Sequence, residues 1–376
     1  MQEYLLIYLL CDGTQLADVF ESFCNHIKDT HKLNPLFFYG APSLSYNAML
    51  YKFRGDGNVH PVLLSEPNMA GFFTQMIRGG TAFICTRLAE ASEDEKIIYL
   101  DANNNNLYGW AMSQKLPYNG FRWMSQTELL ELKASPKEFF ERLRKEGKMC
   151  AVMGDFTVPT AIHKKTWDYP LMPEKASIPE DQLSPKQVEL NVNNRTKHSS
   201  HQQYLLQTMW DKHHYFVYGE VLDFYLQQGI EMTHLYCGIV FNVKEWLKPY
   251  VDMNTQLRNK CKKEGQAIGT IVYKQAHEQC HLWEVFLQNV MKQSNLKFVN
   301  TLLDAIQIKV QSLPGFVRNV YHNGNFTIAD VKHEEVKFDK PIYLGATITE
   351  LAKLSTCTGS TTTMWCHTGE ETECSC

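Results

Sequence analysis

The chain has 376 residues, of which 44% are hydrophobic and 21% charged, and this composition excludes disordered, collagen-like and coiled-coil proteins. Its formal net charge is −4, so it is not a polycation that holds nucleic acid by bulk charge. The longest unbroken apolar run, residues 4–11, is too short to span a bilayer and lacks the flanks of a secretory signal. We therefore expect an intracellular protein with no membrane partner.

The cysteines are unevenly spread. Four of the eleven fall in the last twenty residues, and the other seven show no C-x-x-C spacing, which predicts reduced thiols. Cys366 and His367, with Cys374 and Cys376, could be interpreted as a zinc knuckle, but their spacing fits no strong zinc pattern.

Helices and one short strand are predicted in the first part of the chain. Residues 96–100 (KIIYL) predict a short buried strand that ends before Asp101. Ser135, Pro136 and Glu138 predict a helix start with a capping box, and Gly147 closes that helix. Near the start, five apolar residues at i, i+3, i+4, i+7 and i+11 predict a helix with one stripe on a core: Leu16, Val19, Phe20, Phe23 and Ile27.

The later elements alternate without a regular order. The polar, proline-punctuated stretch 159–194 is expected to cross the surface. A helix around residues 221–226 stops at Gly229, a β-like segment follows over 231–243, and a basic helix begins near 257. Asn323-Gly324 is a strong hairpin signal between segments 316–321 and 326–331. This mixture predicts an α+β fold.

Asp101 is the best single candidate for chemistry. A carboxylate directly after a buried strand can hold a metal ion at a sheet edge, although by itself such an Asp is more often a turn or a helix cap. The residues from Tyr99 onward read YLDANNNNLYGWAMSQKLP, and other distinctive segments follow in order along the chain. These are YLLCDGTQLADVFESF, LNPLFFYGAPSLSYNAMLYK, MIRGGTAFICTR, DYPLMPEK, WLKPYVDMNTQLRNK and FDKPIYLGATITELAKL.

Together these segments resemble the protein-primed family B DNA polymerases of Maverick/Polinton elements, linear plasmids and related viruses, over about residues 4–354. The resemblance implies a palm and fingers with insertion domains, preceded by the end of an exonuclease-like domain. It also implies DNA template and primer, dNTP and a terminal protein primer as partners, with two Mg²⁺ ions as cofactors.

The resemblance assigns roles to several residues. Asp101 would bridge both ions, and Tyr108 would lie under the incoming sugar. The turn Arg78-Gly79-Gly80 would let the backbone approach the template strand closely. The residues expected to face the triphosphate from the fingers are Arg258, Lys260 and Lys274.

Each of these roles has a plainer alternative. Tyr108 could be a packed aromatic residue, the glycine turn a plain turn, and the lysine run a solvated helix face. Tyr8 and Asp12 match the third exonuclease motif, but the two earlier carboxylate motifs of that site are missing from the chain. We therefore expect a packed helix with a vestigial site there and no exonuclease activity.

The sequence also departs from the family pattern. Four asparagines follow Asp101 and Ala102 where the family usually has two, and neither the fingers motif K-x-x-x-N-S-x-Y-G-K nor the carboxylate motif D-T-D-S is present. Reading the codons of 277–285 one base later, or those from 355 onward one base earlier, permits sequences that resemble the family's next segments. We interpret 277–285 and 355–376 as frame-shifted.

The resulting hypothesis is a polymerase fragment with little or no polymerase activity, because Asp101 alone cannot complete two-metal chemistry. The alternatives are a non-catalytic DNA-binding protein made from polymerase parts, or a pseudogene product that is unstable. The expected layout is an exonuclease remnant over 1–70, palm start over 71–115, terminal-protein-type insertion over 116–250, fingers over 251–295, second insertion with a hairpin over 296–340, and palm return with an aberrant tail over 341–376.

Overall fold

The computed structural model shows an α+β protein. It describes residues 2–54, 59, 61–80, 90, 107–167, 169–194, 203–265, 285–287, 294–300, 312, 316–322, 326–332 and 339–364. The α+β class expected from the sequence is therefore confirmed. Asp101, Lys274 and the segment 96–100 lie outside the described residues.

The N-terminal part of the chain is helical. Helix α1 covers Gln2–His31, a short 3-10 helix covers Pro35–Phe37, α2 covers Ala41–Lys52 and α3 covers Pro67–Met76. Asn34 caps the 3-10 helix, because its side-chain oxygen accepts the Leu36 N–H at 3.1 Å. Helix α3 is the most buried of these elements. Its core-facing side chains are Met69, Ala70, Phe72, Phe73 and Met76.

An antiparallel sheet of four strands forms the centre of the described chain, with the order β1-β6-β2-β5. The strands are β1 (Leu116–Trp123), β2 (Lys148–Thr157), β5 (Lys212–Tyr218) and β6 (Glu231–Lys244). Strand β6 pairs with β2 from Lys148↔Asn242 to Thr157↔Glu231, and with β1 on its other side. Between β2 and β5 in sequence, β3 (Glu174–Ala176) and β4 (Tyr204–Leu206) pair as a short antiparallel ribbon.

Helices pack on this sheet or lie around it. They are α4 (Leu107–Met112), α5 (Gln126–Ala134), α6 (Pro136–Lys145), α7 (Thr160–Thr166), α8 (Pro185–Asn193), α9 (Gly219–Gln228) and α10 (Lys248–Lys263). Among them, α5, α6 and α9 pack on the sheet itself. Helix α6 places Phe139, Phe140 and Leu143 in the core. Helix α8 has no buried residue among those described, which fits the surface position expected for 159–194, but residues 170–173 of that stretch are buried, so the expectation is only partly confirmed.

Helix α11 (Ile342–Met364), which comes last among the described elements, packs on elements from the first part of the chain. It packs against α3, α4 and β1, and Tyr343 at its start lies 4.5 Å from the Phe121 ring and 6.0 Å from the Phe73 ring, centroid to centroid. The Tyr343 hydroxyl donates to the Val62 carbonyl at 2.9 Å. A separate antiparallel sheet precedes α11, with the order β7-β9-β8 from β7 (Ser294–Asn300), β8 (Phe316–His322) and β9 (Phe326–Lys332).

Most of the elements predicted from sequence are confirmed. Gly229 ends α9 with φ +103°, and β6 occupies the segment predicted to be β-like. Strands β8 and β9 lie on either side of the Asn323-Gly324 hairpin signal, and these two residues themselves lie outside the described part of the chain. The basic helix begins at Lys248, nine residues before the expected position, because Pro249 suits a first helical turn.

Two details of the sequence prediction are wrong. Helix α1 is present, but Leu16 is 69% exposed, and the described packing of the stripe is limited to its C-terminal end, where Ile27 is buried. Ser135 precedes α6 without a side-chain capping bond, and full capping boxes occur instead at Ser125 and at Ser184. A capping box needs a particular backbone geometry at the cap, and Ser135 (φ −140°, ψ 69°) does not adopt the extended geometry seen at Ser125.

Within the described residues, no helix combines the length and apolar character that crossing a membrane requires.

Candidate functional site

The glycine turn predicted to approach DNA follows α3 directly. Because α3 is anchored in the core, the chain leaves it in a fixed direction, and Ile77 is extended with φ −72° and ψ 111°. Gly79 and Gly80 are exposed. A Cβ on Gly79 would meet only the Leu205 side chain, at 3.4 Å, and a Cβ on Gly80 would meet nothing within 4 Å. The turn thus presents bare backbone to solvent.

Arg78, the first residue of the turn, points into the protein. It is 6% exposed, its guanidinium lies 3.8 Å from the centroid of the Tyr215 ring, and Nη2 donates to the Phe216 carbonyl. Nη2 is also 3.6 Å from Oε1 of Glu350. Burial alone would lower the pKa of Arg78, but Tyr215 and Glu350 oppose it and the pKa is raised, so the side chain stays charged.

Glu350 belongs to α11 and is shared by two cations. The Lys353 ammonium, one turn further along the helix, donates to the same Oε1 at 2.6 Å. Glu350 is 1% exposed and Lys353 is 5% exposed. We call Arg78, Glu350 and Lys353 the buried charge cluster. It connects the glycine turn, strand β5 and helix α11.

The β3–β4 ribbon contacts the glycine turn separately from the buried charge cluster. The Lys175 ammonium donates to the Ile77 carbonyl at 3.2 Å, and Leu205 lies beside Gly79. The ribbon itself is fixed to β5, because buried Lys212 pairs with Glu174 and the Tyr215 hydroxyl donates to the Pro173 carbonyl at 3.0 Å.

Tyr108 lies in the first turn of α4 and is half-buried against the main core. Helix α4 packs on α11, which also packs on α3. Three segments that are far apart in sequence, carrying Arg78, Tyr108 and Glu350, therefore belong to one packed body. The position of Asp101 relative to Tyr108 falls outside the described residues.

The basic helix α10 has two faces. Tyr250, Val251, Asn254 and Cys261 are buried, whereas Lys260 is exposed and Arg258 is half-buried. Lys260 lies 4.0 Å from Glu264, and with side chains 69% and 44% exposed this is a solvent-screened pair. The helix leaves part of its basic side accessible.

Tyr8 and Asp12 lie on α1, four residues apart. Both are exposed, with Tyr8 53% exposed, so the packing expected for this end of the helix is wrong. Among the described residues, no group of three or more His, Cys, Asp or Glu side chains could hold a metal ion.

Sequence reasoning singled out Arg78 but missed Glu350, Lys353 and Tyr215. The signal for the first two was a Glu and a Lys three apart in the otherwise apolar segment IYLGATITELAKL, an unusual place for charges. Nothing in the sequence pointed to Tyr215, because aromatic residues are common in strands.

Comparison with solved structures returns phi29 DNA polymerase in several states. The complex with primer-template DNA shares 15% identity (TM-score 0.46), covering 89% of this chain and 46% of that one. An orthorhombic crystal form shares 12% identity with a TM-score of 0.47, and the ternary complex with DNA and incoming nucleotides shares 14% identity with a TM-score of 0.44. Each of these two matches covers 87% of this chain and 46% of the polymerase. The chain spans about half the length of these polymerases. Curated proteins give no match.

Comparison with protein families matches residues 1–276 to the family described as DNA polymerase type B, organellar and viral. The matched region includes the glycine turn, Asp101, Tyr108 and helix α10, and it confirms the family B resemblance found from the sequence motifs. The chain therefore belongs to the organellar and viral family of type B DNA polymerases.

Proposed function

We propose that this chain binds primer-template DNA and dNTP in the manner of a protein-primed type B polymerase and, by itself, incorporates nucleotides slowly or not at all. The observation that carries the proposal is the meeting of three family segments in one packed body. Arg78 follows α3, Tyr108 lies in α4 and Glu350 lies in α11, which packs on both. The exposed backbone of Gly79 and Gly80 beside them is the proposed DNA contact.

The expected weakness of catalysis depends on sequence rather than on the described geometry. Nucleotidyl transfer by two Mg²⁺ ions needs more than one carboxylate, and the printed sequence contains Asp101 but no D-T-D-S pattern. Membership of the type B polymerase family supports the assignment of Mg²⁺ to Asp101. A terminal protein partner remains part of the same family-based proposal.

DNA binding is tested with a fluorescent primer-template and its anisotropy at several salt concentrations. Gly80→Glu should weaken binding about tenfold, because it puts a carboxylate on the turn proposed to face phosphates. Gly13→Glu is the matched control, since a Cβ at either glycine meets nothing within 4 Å. Equal affinities of the two variants would contradict binding at this turn.

Nucleotide binding is tested on the DNA complex by equilibrium dialysis with labelled dNTP and Mg²⁺. Arg258→Ala with Lys260→Ala should reduce dNTP affinity about tenfold, because two cations proposed to face the triphosphate are removed. Lys164→Ala with Lys165→Ala, on exposed positions of α7, removes the same charge elsewhere. A loss of the same size in both double variants would argue against the assignment to α10.

A primer-extension assay tests catalysis. We expect incorporation by the unaltered chain to match that of Asp101→Ala. Extension that Asp101→Ala abolishes would show that the chain is an active polymerase. Salt-sensitive DNA binding without extension supports the non-catalytic form of the proposal.

A further inference from the structure

The buried charge cluster contains two cations and one carboxylate. Charges are costly to bury, and removing one partner of a buried pair leaves the other uncompensated. Here Oε1 of Glu350 accepts from Lys353 at 2.6 Å and faces Arg78 Nη2 at 3.6 Å, with all three side chains at most 6% exposed. Without the Glu350 charge, both Arg78 and Lys353 would lose this carboxylate while remaining buried.

Arg78 depends strongly on this carboxylate. Its Nε has no hydrogen-bond partner among the described residues, so the guanidinium is held by the Phe216 carbonyl, the Tyr215 ring and Glu350. Of these three described contacts, only Glu350 supplies a full negative charge. The remaining contacts orient the guanidinium without neutralising it.

The position of Arg78 decides the position of the turn. Gly79 and Gly80 have no side chains with which to fix themselves, and glycine loses more backbone freedom on ordering than any other residue. On the solvent side, the Lys175 ammonium adds a tether to the Ile77 carbonyl. Arg78 is thus the inner anchor of a flexible dipeptide, and pre-ordering a binding segment improves affinity by reducing the entropy lost on binding.

We infer that Glu350 is a positioning residue: from inside the protein it holds Arg78 and thereby fixes the exposed Gly79-Gly80 turn for DNA. The inference rests on the proposed function, and it assigns part of the DNA affinity to a carboxylate 272 positions away in sequence that does not touch DNA.

The test begins with a background that folds. Lys353→Met removes the second cation on Oε1 of Glu350 and leaves the contact between Arg78 and Glu350 in place, so this variant should fold and keep its DNA affinity. Adding Glu350→Gln keeps the shape of the side chain and removes only its charge. Comparing the double variant with Lys353→Met isolates the effect of the Glu350 charge on Arg78.

Two readouts are measured well below the melting temperature. The first is trypsin cleavage of the Arg78–Gly79 bond, because Arg78 must leave its buried site to enter the protease. Its rate relative to cleavage after exposed Lys186 should rise about tenfold in the double variant. The second is primer-template affinity, which should fall at least about fivefold with an unchanged salt slope, since no phosphate contact is lost.

The possible outcomes distinguish a positioning role of Glu350 from a merely structural one, and both from a failure of the proposed DNA binding. A lower melting temperature with unchanged cleavage and unchanged affinity would make Glu350 merely structural and overturn the inference. Faster cleavage with unchanged affinity would overturn the positioning role. If the unaltered chain binds no DNA, the proposed function fails and the positioning role fails with it. In that case, slow cleavage after Arg78 in Lys353→Met would still show that Glu350 holds Arg78 in its buried site. Glu350→Asp in the Lys353→Met background should restore part of the affinity.

Discussion

Lys212 is completely buried, and its ammonium donates to Oε1 of Glu174 on the short ribbon beside the glycine turn. Thr208 completes the site, with its hydroxyl 2.8 Å and its carbonyl 3.3 Å from the ammonium. Burial lowers the pKa of Lys212, and the Glu174 carboxylate opposes that shift. This pair fixes the ribbon to strand β5.

Glu174→Gln should destabilise the protein by about 2 kcal/mol, because it leaves a buried ammonium with neutral partners only. The matched control is Glu189→Gln, which breaks a pair with Lys186 whose side chains are 56% and 69% exposed. That change should cost at most about 0.5 kcal/mol. The urea midpoints of the two variants measure these losses, provided that their unfolding transitions have the same slope. Equal midpoints for Glu174→Gln and Glu189→Gln would argue that the buried pair contributes nothing to stability.

Stability should depend on pH through His31. Burial, together with the charge of Lys52, lowers the pKa of His31 from 6.5 to about 4. Between those values the unfolded chain binds a proton that the folded chain does not, so stability rises with pH across this window. As the pH falls from 6.5 to 4, His31 should cost up to about 3 kcal/mol.

The variant that checks this is His31→Phe, whose ring can pack in the same site, 6.3 Å from Tyr250. The free energy of unfolding of His31→Phe, measured in urea between pH 4 and 7, should lack the part of the pH dependence that His31 causes. His213→Ala, at a side chain 73% exposed, should keep it. An unchanged profile in His31→Phe would assign the dependence to other groups.

Two serines before neighbouring helices should differ in their contribution to stability. The Ser125 hydroxyl accepts the Glu128 N–H at 3.3 Å, and Oε2 of Glu128 accepts the Ser125 N–H at 2.9 Å, whereas the Ser135 side chain makes no capping bond. Ser125→Ala should cost about 1 kcal/mol and Ser135→Ala close to zero. Thermal unfolding measures both, and the reverse order would show that the capping geometry is misassigned.

Two glycine-to-alanine changes should have opposite signs. Gly229 has φ +103°, and a Cβ there would meet Ile162 Cγ2 at 2.8 Å, so Gly229→Ala should destabilise by about 2 kcal/mol. Gly13 lies within α1 with nothing near its Cβ position, so Gly13→Ala should stabilise that helix by about 0.5–1 kcal/mol. Circular dichroism on heating reports both, and a stabilised Gly229→Ala would contradict the backbone argument.

The sequence predicted local structure well where the signal is local. Gly229 ends a helix because only a residue without Cβ adopts its backbone angles easily, and strands β8 and β9 form on either side of the Asn323-Gly324 signal. Helix α1 shows where this reasoning fails. Its periodicity predicted the helix correctly, but Leu16 and Val19 are exposed because periodicity does not show which elements cover a face.

The sequence by itself determined the family, because consecutive motifs such as MIRGG and YLDANNNNLYGW are local strings, and the match over residues 1–276 confirmed them. Only the tertiary structure decided that Arg78 points inward to Glu350 while Gly79 and Gly80 face solvent. The physical reason is that burial and ion pairing depend on which distant segments pack together. Here α11 brings a carboxylate from residue 350 against an arginine at residue 78.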